Sequence, residues 1–119
     1  MKSMIGFAAL ALIAAAPAQA SGGLMCRTAG PRPVTLALVV SHTAVPAVVS
    51  TRLTDNGRAI PAQTAQSWLD PTELRIDLTD RNAQRHEARL RATWRAGSRS
   101  YDGSIWRDGQ RRWVRCREG

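Results

Sequence analysis

The stretch ELRIDLTDRNAQRHEARLRATWR, Glu73 to Arg95, decides the fold, because it reads either as a β-hairpin or as a strand followed by a helix. Leu74, Ile76 and Leu78 share one face of its first half, and His86, Ala88, Leu90, Ala92 and Trp94 share one face of its second. A period of two marks half-buried strands. A helix over Ala83 to Trp94 draws on the helix propensity of Ala, Arg, Glu and Gln and on the four-residue spacing of His86, Leu90 and Trp94. The charges favour the hairpin. If Asp80-Arg81-Asn82 is a three-residue loop with Asn82 left-handed, the outward pairs are Asp77 with Arg85, Arg75 with Glu87, and Glu73 with Arg89. All three are opposite in sign, whereas a two-residue slide sets Asp77 against Glu87 and Arg75 against Arg89.

The flanking segments are also β. Val34, Leu36, Leu38, Val40 and His42 form the apolar side of a long strand, with Pro31 and Pro33 before it and Pro46 after. Ala47 to Thr54 then enters Asp55-Asn56-Gly57-Arg58, and Asn-Gly between strands signals a type I′ turn. That turn sets Leu53 opposite Ile60 and Asp55 opposite Arg58. Gln63 to Asp70 has no clear period and reads as a connection anchored by buried Trp68 and Leu69. The last hairpin turns at Asp108-Gly109, which places Tyr101, Gly103, Ile105, Arg112, Val114 and Cys116 on one face. Asp102, Trp106, Arg111, Trp113 and Arg115 take the other. The expected fold is all-β, a small antiparallel meander closing into a barrel or sandwich.

Residues 1–20 read as a cleaved signal peptide: Lys2 is the positive n-region, Met4 to Ala16 the apolar core, and Ala18-Gln19-Ala20 the cleavage site. The expected mature chain, residues 21–119, is one periplasmic or secreted domain that opens on a flexible Ser21-Gly22-Gly23. No segment has the ~20 apolar residues of a spanning helix. In an oxidising compartment the only two cysteines, Cys26 and Cys116, should pair and clasp the ends of the domain. They have no histidine nearby for a metal site, and Met25 is not the small residue that lipidation of Cys26 would require. In the chain-entropy model, closing so long a loop contributes about 4 to 5 kcal/mol.

Lys2 is the only lysine, so the mature chain sets 16 arginines against 9 acids, a net +7. Such a surface attracts anions, and a GC-rich coding bias would produce the same composition. Trp106 and Trp113 among Arg111 and Arg115 suit stacking on sugars or bases with a charged rim, the candidate binding face for an anionic polymer or an envelope component. If the sheet were covered on both sides, both tryptophans would be core instead. Catalysis has little to draw on. His42 and His86 could form an acid–base pair with arginine as phosphate holder, but both fall on apolar strand faces. There is no G-x-S-x-G, phosphate loop or metal-ligand cluster, so no catalytic residue, metal or cofactor is expected. The expected role is a non-enzymatic binding module, its oligomeric state open.

Tyr101-Asp102-Gly103, followed by Trp106 and Gly109, resembles the Y-x-G…W-x-x-G stretch of the periplasmic C-type lysozyme inhibitors. The resemblance implies a small, secreted, disulfide-bonded β-barrel with a protein partner. Asp108 stands where those inhibitors carry lysine, and the final cysteine comes sooner than in their pattern. A +7 chain would repel basic lysozyme unless its acids gathered at the contact.

Overall fold

The structure, a computed structural model, describes residues 21–119; the signal peptide expected over 1–20 lies outside the described residues. Nine strands follow one another: β1 (Ser21–Thr28), β2 (Val34–Ser41), β3 (Val48–Asp55), β4 (Arg58–Ile60), β5 (Gln63–Leu69), β6 (Glu73–Thr79), β7 (His86–Arg95), β8 (Ser100–Arg107) and β9 (Gln110–Glu118). They form one antiparallel sheet in the order β4-β3-β2-β1-β9-β8-β7-β6-β5, and among the described residues there is no helix. The sheet curls into a half-barrel. Two meanders, β1–β4 and β5–β9, meet where β1 pairs with β9, which sets Cys26 directly opposite Cys116 and joins them by a disulfide. The curl brings β3 towards β5, and the hydroxyls of Thr51 and Thr64 bond across the gap at 2.8 Å.

Burial on the concave side holds the curl. Leu36, Leu38, Leu53, Leu74, Ile76, Leu78, Leu90, Ile105 and Val114 are all buried there with the disulfide. Each large aliphatic side chain so buried contributes about 1.5 to 3 kcal/mol. Polar ties add to it: the Arg107 guanidinium reaches across the concavity to donate to Asp55 of β3 at 2.8 Å and also donates to the Glu87 carboxylate on neighbouring β7 at 3.1 Å, and the Tyr101 hydroxyl donates to the Asp70 carbonyl at 2.8 Å. Gly103 on β8 packs tightly against the backbone of β7. A Cβ at that position would collide with the Arg91 carbonyl and the Ala92 Cα.

The two-residue turns hold as expected. Asn56 and Gly57 have φ of 51° and 84°, Asp108 and Gly109 of 53° and 74°, and both hairpins pair in the register those turns impose. The β6–β7 hairpin forms with a different register. Asp77 faces Arg89, Arg75 faces Arg91, and Glu73 faces Thr93, four residues further along β7. The loop runs over residues 80–85, closed by the Asp80 carboxylate, which accepts from the Gln84 and Arg85 amides at 2.7 and 3.2 Å. Ala83, not Asn82, takes the positive φ, at 58°. Packing explains the change. The observed register sets Ile76 against Leu90 and Leu78 against Ala88, where the charge-matched one would have set Ile76 against His86 and Leu78 against Gln84. Apolar burial outweighs exposed ion pairs, which contribute only ~0.2 to 1 kcal/mol each.

Four further expectations are corrected. Gln63 to Leu69 is not a connection but the edge strand β5, whose period is broken by a bulge between Thr64 and Gln66, and Trp68 is exposed rather than buried. Gly22 and Gly23 are not a loose start but pair with Val40 and Val39. His42 and His86, at strand ends where the core stops, are both exposed. Trp94, also near a strand end, is exposed and packs edge-on against Tyr101 at 5.1 Å.

Candidate functional site

With the core on the concave side, the convex side of the sheet is where a Trp and Arg surface must stand. Alternation along β8 and β9 sends Ile105, Val114 and Cys116 inward and Trp106, Arg111, Trp113 and Arg115 outward. Trp113 is 56% exposed and Trp106 39%. Register then aligns the outward residues into rows across the strands. One row reads Trp68, Arg75, Arg91, Ser104, Trp113 from β5 to β9, and the next reads Gln66, Asp77, Arg89, Trp106, Arg111.

Each outward tryptophan lies beside a shallow depression. Trp113 borders a groove of about 470 Å³ lined by Met25, Arg27, Arg115 and Arg117. Trp106 borders one of about 550 Å³ with Arg89, Arg91 and His86. Trp68 borders one of about 320 Å³ with Gln66, Arg75 and Arg91. Trp68 is 51% exposed; the Arg75 guanidinium stacks over its ring at 5.3 Å, and its indole N–H donates to Asp70 at 2.7 Å. That bond, with the Thr72 amide, holds the Asp70 carboxyl down at about 2.

The arginines of this face differ in how free they are. Among the described residues, Arg27, Arg111 and Arg117 have no salt bridge. Arg115 grips buried Asp102 with two bonds of 2.9 and 2.8 Å, and Ser100 adds a third donor at 2.7 Å. These bonds, Arg115 foremost, hold the Asp102 carboxyl below the usual range. Asp77 accepts from Arg89 at 3.2 Å and from Arg91 at 3.0 and 3.3 Å. Burial pushes its carboxyl up, and the two guanidiniums together outweigh that and hold it below the usual range.

No protein-family model, curated protein or solved structure matches this chain. The site is therefore read from its own chemistry: flat apolar indole faces beside guanidiniums. The structure brings Trp106, Arg111, Trp113 and Arg115 together on one exposed face, as their alternation required. Sequence reasoning missed Trp68, Arg75 and Arg91 as part of that face. The signal was the Asp70-Pro71-Thr72-Glu73 turn, where the Asp70 carboxylate accepts from the Thr72 and Glu73 amides at 2.8 and 2.7 Å. An Asp that folds back on its own chain closes a hairpin, and this one sets Leu69 against Leu74 and Trp68 against Arg75. The two histidines lie apart: His42 joins Gly22 and Trp94 at one end of the half-barrel, and His86 joins Trp106 and Asp108 at the other. Tyr101 and Gly103, which carry the resemblance to the lysozyme inhibitors, serve packing here, one as a buried tie to Asp70 and the other as the close contact with β7.

Proposed function

We propose that this protein is an exported, non-enzymatic binding module that holds an anionic polymer of the cell envelope against Trp106, Trp113, Arg111 and Arg115. The observation that carries the reading is two exposed indoles on the outward face of a one-sided sheet, among arginines of which Arg111 has no acidic partner. The signal-peptide pattern and the disulfide support an oxidising compartment outside the cytoplasm. Stacking supplies affinity that tolerates variation in the ligand, and the guanidiniums select for negative charge.

Binding of the mature protein to immobilised heparin at low salt tests it. Trp113→Ala and Arg111→Ala should each lower affinity about fivefold or more, while changing Arg81 and Arg85 in the exposed β6–β7 loop to Ala should change it less than twofold. Trp113→Ala should cost under about 1 kcal/mol of stability, against the roughly 3 to 5 kcal/mol of a buried tryptophan. Equal losses from the face and the loop would make the attraction diffuse and overturn the site. Stoichiometric inhibition of lysozyme that heparin leaves unchanged would replace this reading with the inhibitor one.

A further inference from the structure

The convex face continues beyond the C-terminal hairpin. Trp68 and Trp113 end the same cross-strand row, four strand steps apart, which at the usual spacing is about 19 Å. Between them stand Arg75, Arg91 and Ser104, and Trp106 lies in the adjoining row with Gln66 and Arg89. Three exposed indoles, each beside a depression with arginines in its lining, Arg91 being common to those of Trp106 and Trp68, thus lie along a line that crosses the strands.

We infer that this line is an extended site for an acidic polysaccharide, with Trp113, Trp106 and Trp68 as successive sugar-stacking platforms. The inference rests on the reading above and adds the ligand class and the third platform. Charge selects that class. A nucleic-acid strand carries a phosphate about every 3.4 Å in a duplex, so a 19 Å span would present on the order of five. Along the two rows stand Arg75, Arg89, Arg91 and Arg111, of which Arg89 and Arg91 already share Asp77, while Arg27, Arg115 and Arg117 gather at the Trp113 end. Cations that are few between Trp106 and Trp68 and gathered at the Trp113 end, among indoles, a serine hydroxyl and a glutamine amide, fit a chain of rings with one carboxylate on some of them. Arg75 also covers part of the Trp68 ring, which leaves a single open stacking surface on that indole beside a guanidinium. The Arg75 Nε, 3.6 Å from Glu73, is buried and makes no hydrogen bond in the protein.

The test is the length dependence of binding, followed by tryptophan fluorescence with oligogalacturonates of two and eight residues and with octathymidylate as competitor. The octamer should bind the mature protein about tenfold more tightly than the dimer, because one chain then engages several platforms. Trp68→Ala should abolish most of that advantage and leave dimer binding within twofold, whereas Trp113→Ala should weaken both. Trp68→Phe should restore the octamer's advantage, and Arg75→Ala should reduce it should Trp68→Ala fail to fold. If Trp68→Ala and Arg75→Ala leave octamer binding unchanged while Trp113→Ala weakens it, the extended site is wrong and the hairpin site stands. If none of the variants matters, both are wrong. Octathymidylate displacing the octamer at lower concentration than octagalacturonate itself would overturn the polysaccharide assignment.

Discussion

Asp102 in the β8–β9 hairpin stands directly opposite Arg115 and is gripped by it through two hydrogen bonds, whereas Asp77 in β6–β7 is divided between Arg89 opposite and Arg91 diagonal to it. In the first hairpin one acid meets one base. In the second, Arg75 faces Arg91, like charge against like, and Arg75 settles over the Trp68 indole and near Glu73 at 3.6 Å. Both carboxylates are nearly buried, Asp102 at 5% and Asp77 at 7% exposure. The difference shows that the outward charges of β6–β7 follow a register chosen on the other side of the sheet, and so leave three arginines to share two acids on the convex face.

The largest expected effect separates the two hairpins by their distance from the clasp. Replacing Cys26 and Cys116 together by Ser should cost about 2 to 5 kcal/mol in denaturant unfolding. Amide exchange should rise first in β1 and β9, which the disulfide joins, and later in β6 and β7. Uniform loss of protection would mean that the two hairpins open as one unit, and the contrast between them would carry no energetic meaning.

Double-mutant cycles sharpen the contrast. Asp102 with Arg115 should couple by about 1 to 2 kcal/mol, a charged, two-bond contact discounted for the exposed side of the arginine. Asp77 with Arg89 should couple by less than about 0.5 kcal/mol, because Arg91 keeps the carboxylate satisfied when Arg89 is gone. Equal couplings would show that sharing does not dilute the pair.

Acid gives the smallest and most general effect. Asp70, Asp77, Asp80 and Asp102 are all held below the usual carboxylate range, so the unfolded chain binds protons that the folded one refuses. Their contribution is complete above the unfolded value near 3.9 and is lost as pH falls towards the folded values, about 2 for Asp70. Urea midpoints should therefore decline from about pH 4 to pH 2, and Asp102→Asn should flatten that decline. An unchanged slope in Asp102→Asn would mean that its bond to Arg115 persists when protonated.

What the chain determines locally is set at its two-residue turns. Asn56-Gly57 and Asp108-Gly109 take left-handed conformations that leave one pairing, so the register of both hairpins, and with it the shared outward face of Trp106 and Trp113, was legible from residue order. The clasp followed from there being only two cysteines. Tertiary structure decided what lies beyond such turns. A six-residue loop closed by Asp80 permits several registers, and the choice among them fell to Ile76 meeting Leu90 and Leu78 meeting Ala88 in the core, which the outward charges do not encode. Trp68 is exposed because β5 ends the sheet order and turns that side chain to the convex face, a position no periodicity within seven residues can report. The two cysteines bring together residues about 90 apart in the chain, but that β1 and β9 then pair along their length, joining the two meanders into one sheet, is decided by the concave core they share.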